Sequence, residues 1–464
     1  MQQPDPVSPP AASLPTALHL AYGAGAVGTA IFGTVPGLLL LYFMTDTLGI
    51  APALAGATLA IVKLWDVLVD PTVGALSDRT RSAWGRRRPW MLAGGLLMPI
   101  GFALLFSVPD FPSPRGSWLW VLVAFLCTST AFAIYQVPYV AMPAEMSEDG
   151  REQTVLMAWR MSAMVIGILL SGALAPQLVL AGGGGRPGYA LMGRVLAAIC
   201  AVAMLTAFLG TRHAPALRRG APAPLREQLS AVLRNRAFLV LAGAIVVQLV
   251  AMSSMLATVP YVARYLLEGG ESIVTLLFVC VVLPSLVAMP AWVALERRLG
   301  RIGAWTVATV AFAALNLGLM VAGPGRLWTV AGIVSLMGLA YGGTQVFPYA
   351  LLPDAIAAGR EDSGIEQGGV LAGVLTAAEK CGNALGALVA GLVLQASGFV
   401  ESRGGVAVAQ SAGALAGIRL GAAVLPALLL CASLPLLRRC RDAAGTGRDG
   451  AAARDDIRSA TEVP

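Results

Sequence analysis

The stretch that decides the fold is KLWDVLVDPTVGALSDRTRSAWGRRRP, residues 63–89. Its first part continues an apolar run that begins near residue 52, and a run of about 20 apolar residues is long enough to cross a bilayer as a helix. Its last part carries five arginines. Arginine-rich short loops stay on the cytoplasmic side of a membrane. The stretch therefore predicts a transmembrane helix followed by a cytoplasmic loop.

The composition extends this prediction to the whole chain. Of the 464 residues, 57% are hydrophobic and 12% are charged, whereas soluble domains are about 45–50% apolar and about 25% charged. Apolar runs of spanning length lie at about 17–45, 52–76, 88–109, 117–143, 154–180, 188–210, 237–266, 272–295, 302–322, 327–350, 367–396 and 412–437. These twelve runs predict an all-α membrane protein.

The arginines predict how the chain lies in the membrane. Loops on one side hold 22 arginines, and loops on the other side hold four. We therefore expect the first side, with both termini, to be cytoplasmic in a cell (inner) membrane. Because no polar domain presents a basic face, the net charge of +7 does not indicate nucleic acid. We expect the lipid bilayer and a small-molecule solute as partners, and a monomer.

A repeat divides the chain into two halves. Residues 136–145 read QVPYVAMPAE and residues 345–354 read QVFPYALLPD, so both end a span with Gln, Pro-Tyr, a second Pro and an acid. Parallel repeats are typical of major facilitator transporters. We expect six-helix bundles at 17–211 and 237–440, a cytoplasmic linker at 212–236, and disordered tails at 1–16 and 441–464.

Charged residues inside the predicted spans are candidates for function. A charge at bilayer depth costs about 2.5–3.5 kcal/mol on lenient scales, so it is retained for a reason. Lys63, Asp66 and Asp70 share one face of the second span because their spacings are three and four. Two carboxylates one turn apart repel each other, and a bound cation relieves the repulsion. This face therefore predicts a coupling-ion site, with a neutralised packing triad as the alternative.

The same stretch resembles the glycoside–pentoside–hexuronide:cation symporters, the melibiose-permease-like branch of the major facilitator superfamily. The spacing of five residues between Arg79 and Gly85 is typical of this branch. The resemblance implies symport of a sugar, glycoside or uronate by alternating access. It places cation-coupling carboxylates at Asp66 and Asp70, a lysine between the cation and substrate sites at Lys380, and a cavity arginine at Arg160.

Departures from the family pattern bear on the ion and on the solute. Val69 and Ala133 replace polar neighbours of the carboxylates, which favours H⁺ over Na⁺ because a proton needs only one carboxylate. Ala30 and Gln136 replace two sugar-binding acids, which disfavours a melibiose-like galactoside. An apolar first span keeps a lysophospholipid or amphiphile transporter open as the alternative, and a non-transporting membrane protein is disfavoured by the retained charges.

The remaining candidates fall into two groups. The proposed substrate-binding residues are polar or aromatic and lie within spans: Lys63, Tyr135, Gln136, Tyr139, Trp159, Arg160, Gln345 and Asn383. The proposed cytoplasmic gate consists of charged residues that we expect to form ion pairs: Asp78, Arg79, Arg86, Arg87, Glu145, Arg151, Arg297 and Asp354. Two histidines and six scattered cysteines predict neither an enzyme nor a resident cofactor or metal, apart from Na⁺ as the other possible coupling ion at Asp66 and Asp70.

Overall fold

A computed structural model describes residues 14–147, 149–212, 214, 235–363, 368–402 and 408–440. Residues 1–13 of the predicted N-terminal tail, the whole predicted C-terminal tail and most of the predicted linker lie outside these ranges. The twelve main helices of the described chain are α1 (Thr16–Val35), α2 (Pro52–Arg79), α3 (Arg88–Phe106), α4 (Pro114–Ala141), α5 (Gly150–Leu169), α6 (Gly185–Thr211), α7 (Arg236–Tyr261), α8 (Glu271–Val287), α9 (Met289–Gly318), α10 (Leu327–Ser363), α11 (Gly368–Ala396) and α12 (Ala412–Arg419). All but α8, an apolar helix of 17 residues, belong to runs of helix that are long and apolar enough to cross a membrane. The all-helical prediction is confirmed.

Several helices continue beyond these bounds through a wider turn. The π-helical turns are Pro36–Leu40 and Phe43–Thr47 after α1, Leu170–Leu174 after α5, Val262–Leu266 after α7 and Leu420–Val424 after α12. Helix α5 then runs on through Ala175–Ala181, and α12 runs on to give a span of Ala412–Cys440. Pro36 and Pro260 lie at two of these turns, where a missing backbone N–H disturbs the regular ladder.

The boundary between the eighth and ninth spans is a kink at Gly300. Gly300 has φ 71° and ψ 168° and divides Met289–Gly318 in two. Because that left-handed backbone favours glycine, the residue acts as the hinge between 289–299, which follow α8, and the rest of α9. The predicted spans at 272–295 and 302–322 fall on either side of it.

The two halves pack in the same way. In the first half α1 packs on α5 and α6, α3 on α4, and α2 on α4. In the second half α7 packs on α11, α9 on α10, and α8 on α10. The halves meet along α2 with α11 and along the continuation of α5, residues 170–181, with α8, and the repeat exchanges these two contacts. This arrangement is the twofold-related pair of bundles that the repeat predicted.

One end of the bundle is sealed by contacts between the halves. We call the end with the α2–α3 loop the arginine-rich end and the other the opposite end. At the opposite end the Thr45 hydroxyl lies 2.6 Å from the Tyr261 hydroxyl, and the Tyr265 hydroxyl donates to Asp46. The Ser402 backbone N–H donates to the Thr45 carbonyl at 3.1 Å. We call Thr45, Asp46, Tyr261, Tyr265 and Ser402 the latch; it closes the opposite end.

Candidate functional site

The charged face of α2 lies at the interface between the halves. The side chain of Asp66 is 1% exposed, whereas those of Lys63 and Asp70 are about one quarter exposed. The Lys63 ammonium lies 3.7 Å from an Asp66 oxygen and 5.7 Å from the centre of the Phe32 ring. The helical spacing that the sequence showed therefore places all three charges on one surface.

Lys380 reaches this surface from α11. Its ammonium lies 2.5 Å from Oδ2 of Asp70 and 3.8 Å from Oδ2 of Asp66. Two ammonium groups and two carboxylates thus form one group, Lys63, Asp66, Asp70 and Lys380, which we call the charge cluster. With every member ionised its net charge is zero, which lowers the cost of holding charges at bilayer depth.

A hydroxyl group that sequence reasoning missed completes the surroundings of Asp66. Ser129 on α4 donates its hydroxyl hydrogen to Oδ1 of Asp66. Sequence reasoning considered only Ala133, at the position of the family's α4 hydroxyl, and did not consider Ser129. Ser129 precedes Ala133 by one helical turn, so it lies on the same face of α4. Oδ2 of Asp66 is buried and has no hydrogen-bond partner.

A cavity of about 490 Å³ lies between the halves. It is lined by α1 and α5 on one side and mainly by α7, α8 and α10 on the other, and its surface is largely aliphatic and methionine side chains. Of the predicted substrate-binding residues, Gln345 and Asn383 line it. Gln345 donates to the Tyr341 hydroxyl at 2.9 Å, and Asn383 donates to the Glu379 carbonyl at 3.0 Å. The cavity suits a mainly apolar group with a few polar contacts.

The predicted aromatic residues of α4 lie inside the first half rather than on the cavity. Tyr135 and Tyr139 are fully buried and stack with ring centres 5.2 Å apart. The Tyr139 hydroxyl donates to the Tyr22 carbonyl at 2.7 Å, and Tyr22 donates to the Tyr139 carbonyl at 3.2 Å. Burial is consistent with packing between α1 and α4. Tyr135 Oη and Gln136 Oε1 are buried without a hydrogen-bond partner.

Two opposite charges lie one helical turn from the cavity lining. Arg160 precedes the lining residue Met164 by four positions, and Glu379 precedes Asn383 by four, so each pair shares a helix face. The Arg160 guanidinium lies 5.8 Å from the Tyr139 ring centre, and its buried Nε has no hydrogen-bond partner. Glu379 accepts a hydrogen bond from the Tyr349 hydroxyl at 2.9 Å.

These charges lie on the side of the cavity that faces the arginine-rich end. Gln345 and Tyr349 are exposed there, and Trp159, beside Arg160, is 38% exposed. Glu379 was not among the predicted site residues. Its position beside Lys380 was the signal that could have found it, because a second charge at this depth of a span needs a reason.

The predicted gate residues form ion pairs within the first half. Arg87 contacts Asp78 at 2.9 Å, Arg86 contacts Glu145 at 2.6 Å, and Arg87 also contacts Glu145. The pairs with Glu145 join the α2–α3 loop to the turn after α4, and the Arg87–Asp78 pair joins the loop to the last turn of α2. Arg79, Arg151 and Arg297 are exposed. The side chain of Asp354 lies outside the part that the structure describes.

Proteins with similar sequences are named as symporters or transporters. The chain is 25% identical to an uncharacterized symporter of Synechocystis sp., over 90% of this chain and 92% of that one. It is 22% identical to an isoprimeverose transporter of Lactiplantibacillus pentosus, over 83% and 80%. It is 30% identical to a sodium-dependent lysophosphatidylcholine symporter of Danio rerio, over 34% of this chain and 30% of that one.

The fold is shared with solved transporters. A nucleoside transporter matches 91% of this chain and 100% of its own with a TM-score of 0.65 at 13% identity. At that identity the likeness concerns the fold alone. A family model described as MFS/sugar transport protein matches residues 21–441. The chain therefore belongs to the MFS/sugar transport protein family and has the twelve-helix fold of the major facilitator transporters.

Proposed function

We propose that the chain is a cation-coupled symporter, and the observation that carries the proposal is the contact of Lys380 with both carboxylates of α2. Lys380 belongs to one half and Asp66 and Asp70 to the other. Any movement that separates the halves at this depth therefore removes one positive charge from the cluster. Lys63, Asp66 and Asp70 then carry a net charge of −1, which one monovalent cation neutralises.

This charge balance links ion binding to conformation. With the halves in the present arrangement, Lys380 occupies the place of the cation and the cluster needs no ion. With the halves apart, two carboxylates one turn apart repel unless a cation binds. A cation thus favours the conformation in which Lys380 has left, which is the differential affinity that coupling requires. The arrangement further supports one cation per transport cycle.

The surroundings of the carboxylates favour H⁺ over Na⁺. A sodium ion prefers several oxygen ligands, and the uncharged oxygen in contact with this pair among the described residues is the Ser129 hydroxyl. A proton needs only one carboxylate oxygen, and Oδ2 of Asp66 lacks a hydrogen-bond donor. With the arginine-rich end in the cytoplasm, the latch closes the outer side, and the structure corresponds to the inward-facing state of alternating access.

We propose a sugar, glycoside or uronate as the solute, consistent with the family. Its polar groups would contact Gln345, Asn383 and Arg160 on the side of the cavity that faces the arginine-rich end. The carboxylate of a uronate would pair with Arg160. The apolar cavity favours a second candidate, an amphiphile such as a lysophospholipid. Its acyl chain would fill the cavity between α5 and α8. Relatives named for both solute classes support keeping the two candidates.

Binding to the purified protein separates these candidates. A thermal-stability screen over sugars, uronates and lysophospholipids identifies the solute class, and uptake into proteoliposomes then compares a pH gradient with a Na⁺ gradient. We expect accumulation driven by the pH gradient and lost in Asp70→Asn. The exposed Asp110→Asn variant is the matched control and transports normally. Normal accumulation by Asp66→Asn/Asp70→Asn overturns the coupling site, and uptake that follows Na⁺ at fixed pH overturns the choice of ion.

A further inference from the structure

Arg194 occupies a position on α6 where an arginine is unexpected. It is exposed and shares a narrow stripe of the helix with Val202 and Leu209, which are 68% and 53% exposed. In a membrane protein such an apolar stripe faces lipid. Arg194 lies nine residues after the start of α6 at Gly185, about 13 Å along the helix axis. An arginine at that depth on a lipid-facing stripe needs a partner or a path to the interface.

A hydrogen bond shows in which direction the Arg194 side chain extends along α6. Nε of Arg194 donates to the carbonyl of Ala190, one turn earlier, at 3.0 Å. The guanidinium is therefore directed back along α6 towards the opposite end of the bundle, where the polar head groups of the bilayer lie. Within the described part of the chain no carboxylate lies within ion-pair distance of Arg194, so its charge is not neutralised by the protein.

A groove receives the guanidinium at that end. It is a shallow, open groove between the end of α3 and the start of α6, where Arg186, Arg194, Ser107 and Pro109 line it. Arg186 donates to the Pro109 carbonyl at 3.0 Å and contacts Asp110 at 2.9 Å. Since Asp110 offsets one of the two arginines, the groove carries a net charge of about +1.

We propose that this groove binds the phosphate of an anionic phospholipid of the leaflet at the opposite end of the bundle. An anionic phospholipid such as phosphatidylglycerol carries one net negative charge, which matches the uncompensated arginine, whereas the choline cation of phosphatidylcholine offsets its phosphate. The phosphate oxygens accept the paired N–H groups of a guanidinium. The acyl chains of the same lipid lie along the apolar stripe of α6 below Arg194. The lipid thereby pairs a charge that would otherwise lie unpaired beside the hydrocarbon.

The proposal is tested on the full chain by native mass spectrometry with phosphatidylglycerol and, separately, phosphatidylcholine. We expect the protein to retain phosphatidylglycerol more strongly. Near a membrane surface each basic residue is worth about 1 kcal/mol, so Arg194→Gln weakens binding about fivefold. Arg194→Lys keeps most of the affinity. Arg115→Gln, an exposed arginine at the same end but outside the groove, leaves it unchanged.

Three results overturn the proposal. The first is equal affinity of the unmodified protein for the two lipids, which needs no variant. The second is unaltered phosphatidylglycerol binding by Arg194→Gln. The third is an equal loss in Arg115→Gln, which would assign the effect to overall charge. If Arg194→Gln does not fold, the comparison of the two lipids and the Arg194→Lys variant still decide the question.

Discussion

The contact of Lys380 with the carboxylates of α2 is the single contact on which the proposed coupling depends most. Lys380 closes an ion pair with Asp70 from the other half, and it is one of only two lysines in a chain with 30 arginines. A lysine ammonium is a compact charge on a flexible stem, so it can leave a carboxylate without the geometric cost of breaking a forked arginine pair. That property suits a group that must alternate with a coupling ion.

The Lys380–Asp70 pair is open to a double-mutant cycle. Lys380→Met alone leaves two carboxylates with one lysine, and Asp70→Asn alone leaves Lys380 without its nearest partner. We expect each single variant to lower the stability by about 1–3 kcal/mol. The double variant restores neutrality, so its loss is smaller than the sum of the two single losses. Thermal unfolding in detergent measures all four proteins.

The exposed pair Arg186–Asp110 provides the matched control for this cycle. Its ion contact has a similar length, but the Asp110 side chain is 96% exposed. Exposed pairs are worth about 0–1 kcal/mol, so the same cycle there returns a coupling energy near zero. Additive losses for Lys380→Met and Asp70→Asn would contradict the assignment of a cross-half ion pair.

For single residues, the sequence predicts the positions of the charges in the spans better than it predicts the residues that contact them. Helical spacing alone places Lys63, Asp66 and Asp70 on one face, because those contacts lie within one helix. The Ser129 hydroxyl was missed because its contact depends on how α4 is rotated against α2. Asp46 was missed for the same reason: its partners Tyr265 and Ser402 are more than 200 residues away, and no local pattern connects them.

Between elements, glycines set how closely α2 and α11 approach. A Cβ atom added to Gly391 would lie 2.4 Å from the Pro52 carbonyl oxygen, and one added to Gly56 would lie 2.9 Å from the Ala387 carbonyl oxygen. Each glycine therefore fits against the backbone of the other helix. Such small residues are what allow membrane helices to pack closely.

A pair of substitutions on α11 isolates this contact. Gly391→Ala forces a methyl group against the backbone of α2, and we expect it to lower the stability by about 1–3 kcal/mol. Gly373→Ala on the same helix meets no atom within 4 Å. Its higher helix propensity raises the stability by up to about 1 kcal/mol. Unfolding in detergent compares the two, and a Gly391→Ala variant as stable as Gly373→Ala would rule out the close approach.

The elements themselves were largely predictable. Spanning runs are long and nearly uniform in polarity, so helix positions follow from counting, and the arginine loops separate them. The π-helical turns after α1 and α7 were not predicted, because an apolar run has the same composition whether its backbone is α or π. The helix α10 extends to Ser363, beyond the predicted 350, because its last turns are polar and lie outside the apolar window.

For the whole molecule, the latch and the cavity describe one state of a two-state protein. Four of the five latch residues are buried, with Thr45 and Tyr261 at 0% and Asp46 at 2% exposure, and Tyr265 is half-buried. Opening that end must therefore break several hydrogen bonds at once. A buried carboxylate that loses a donor is destabilised far more than an exposed one. The latch therefore sets how strongly the protein prefers the arrangement that is open at the arginine-rich end.

Weakening the latch should shift this preference without changing the charge cluster. Tyr265→Phe removes the hydroxyl that donates to Asp46, a hydrogen bond to a charged group worth about 1.5–3 kcal/mol, which corresponds to a population change of about 10- to 100-fold. The measurement is the rate at which a membrane-impermeant maleimide, added at the arginine-rich end, labels a Gln345→Cys variant whose native cysteines have been replaced. We expect Tyr265→Phe to slow this labelling, and Asp46→Asn/Tyr265→Phe to slow it further. Tyr22→Phe, which loses a tyrosine hydrogen bond inside the first half, leaves the rate unchanged. Equal rates in all variants would mean that the latch does not govern which end is open, and that the preference resides in the helix contacts of α2 with α11 and of α5 with α8.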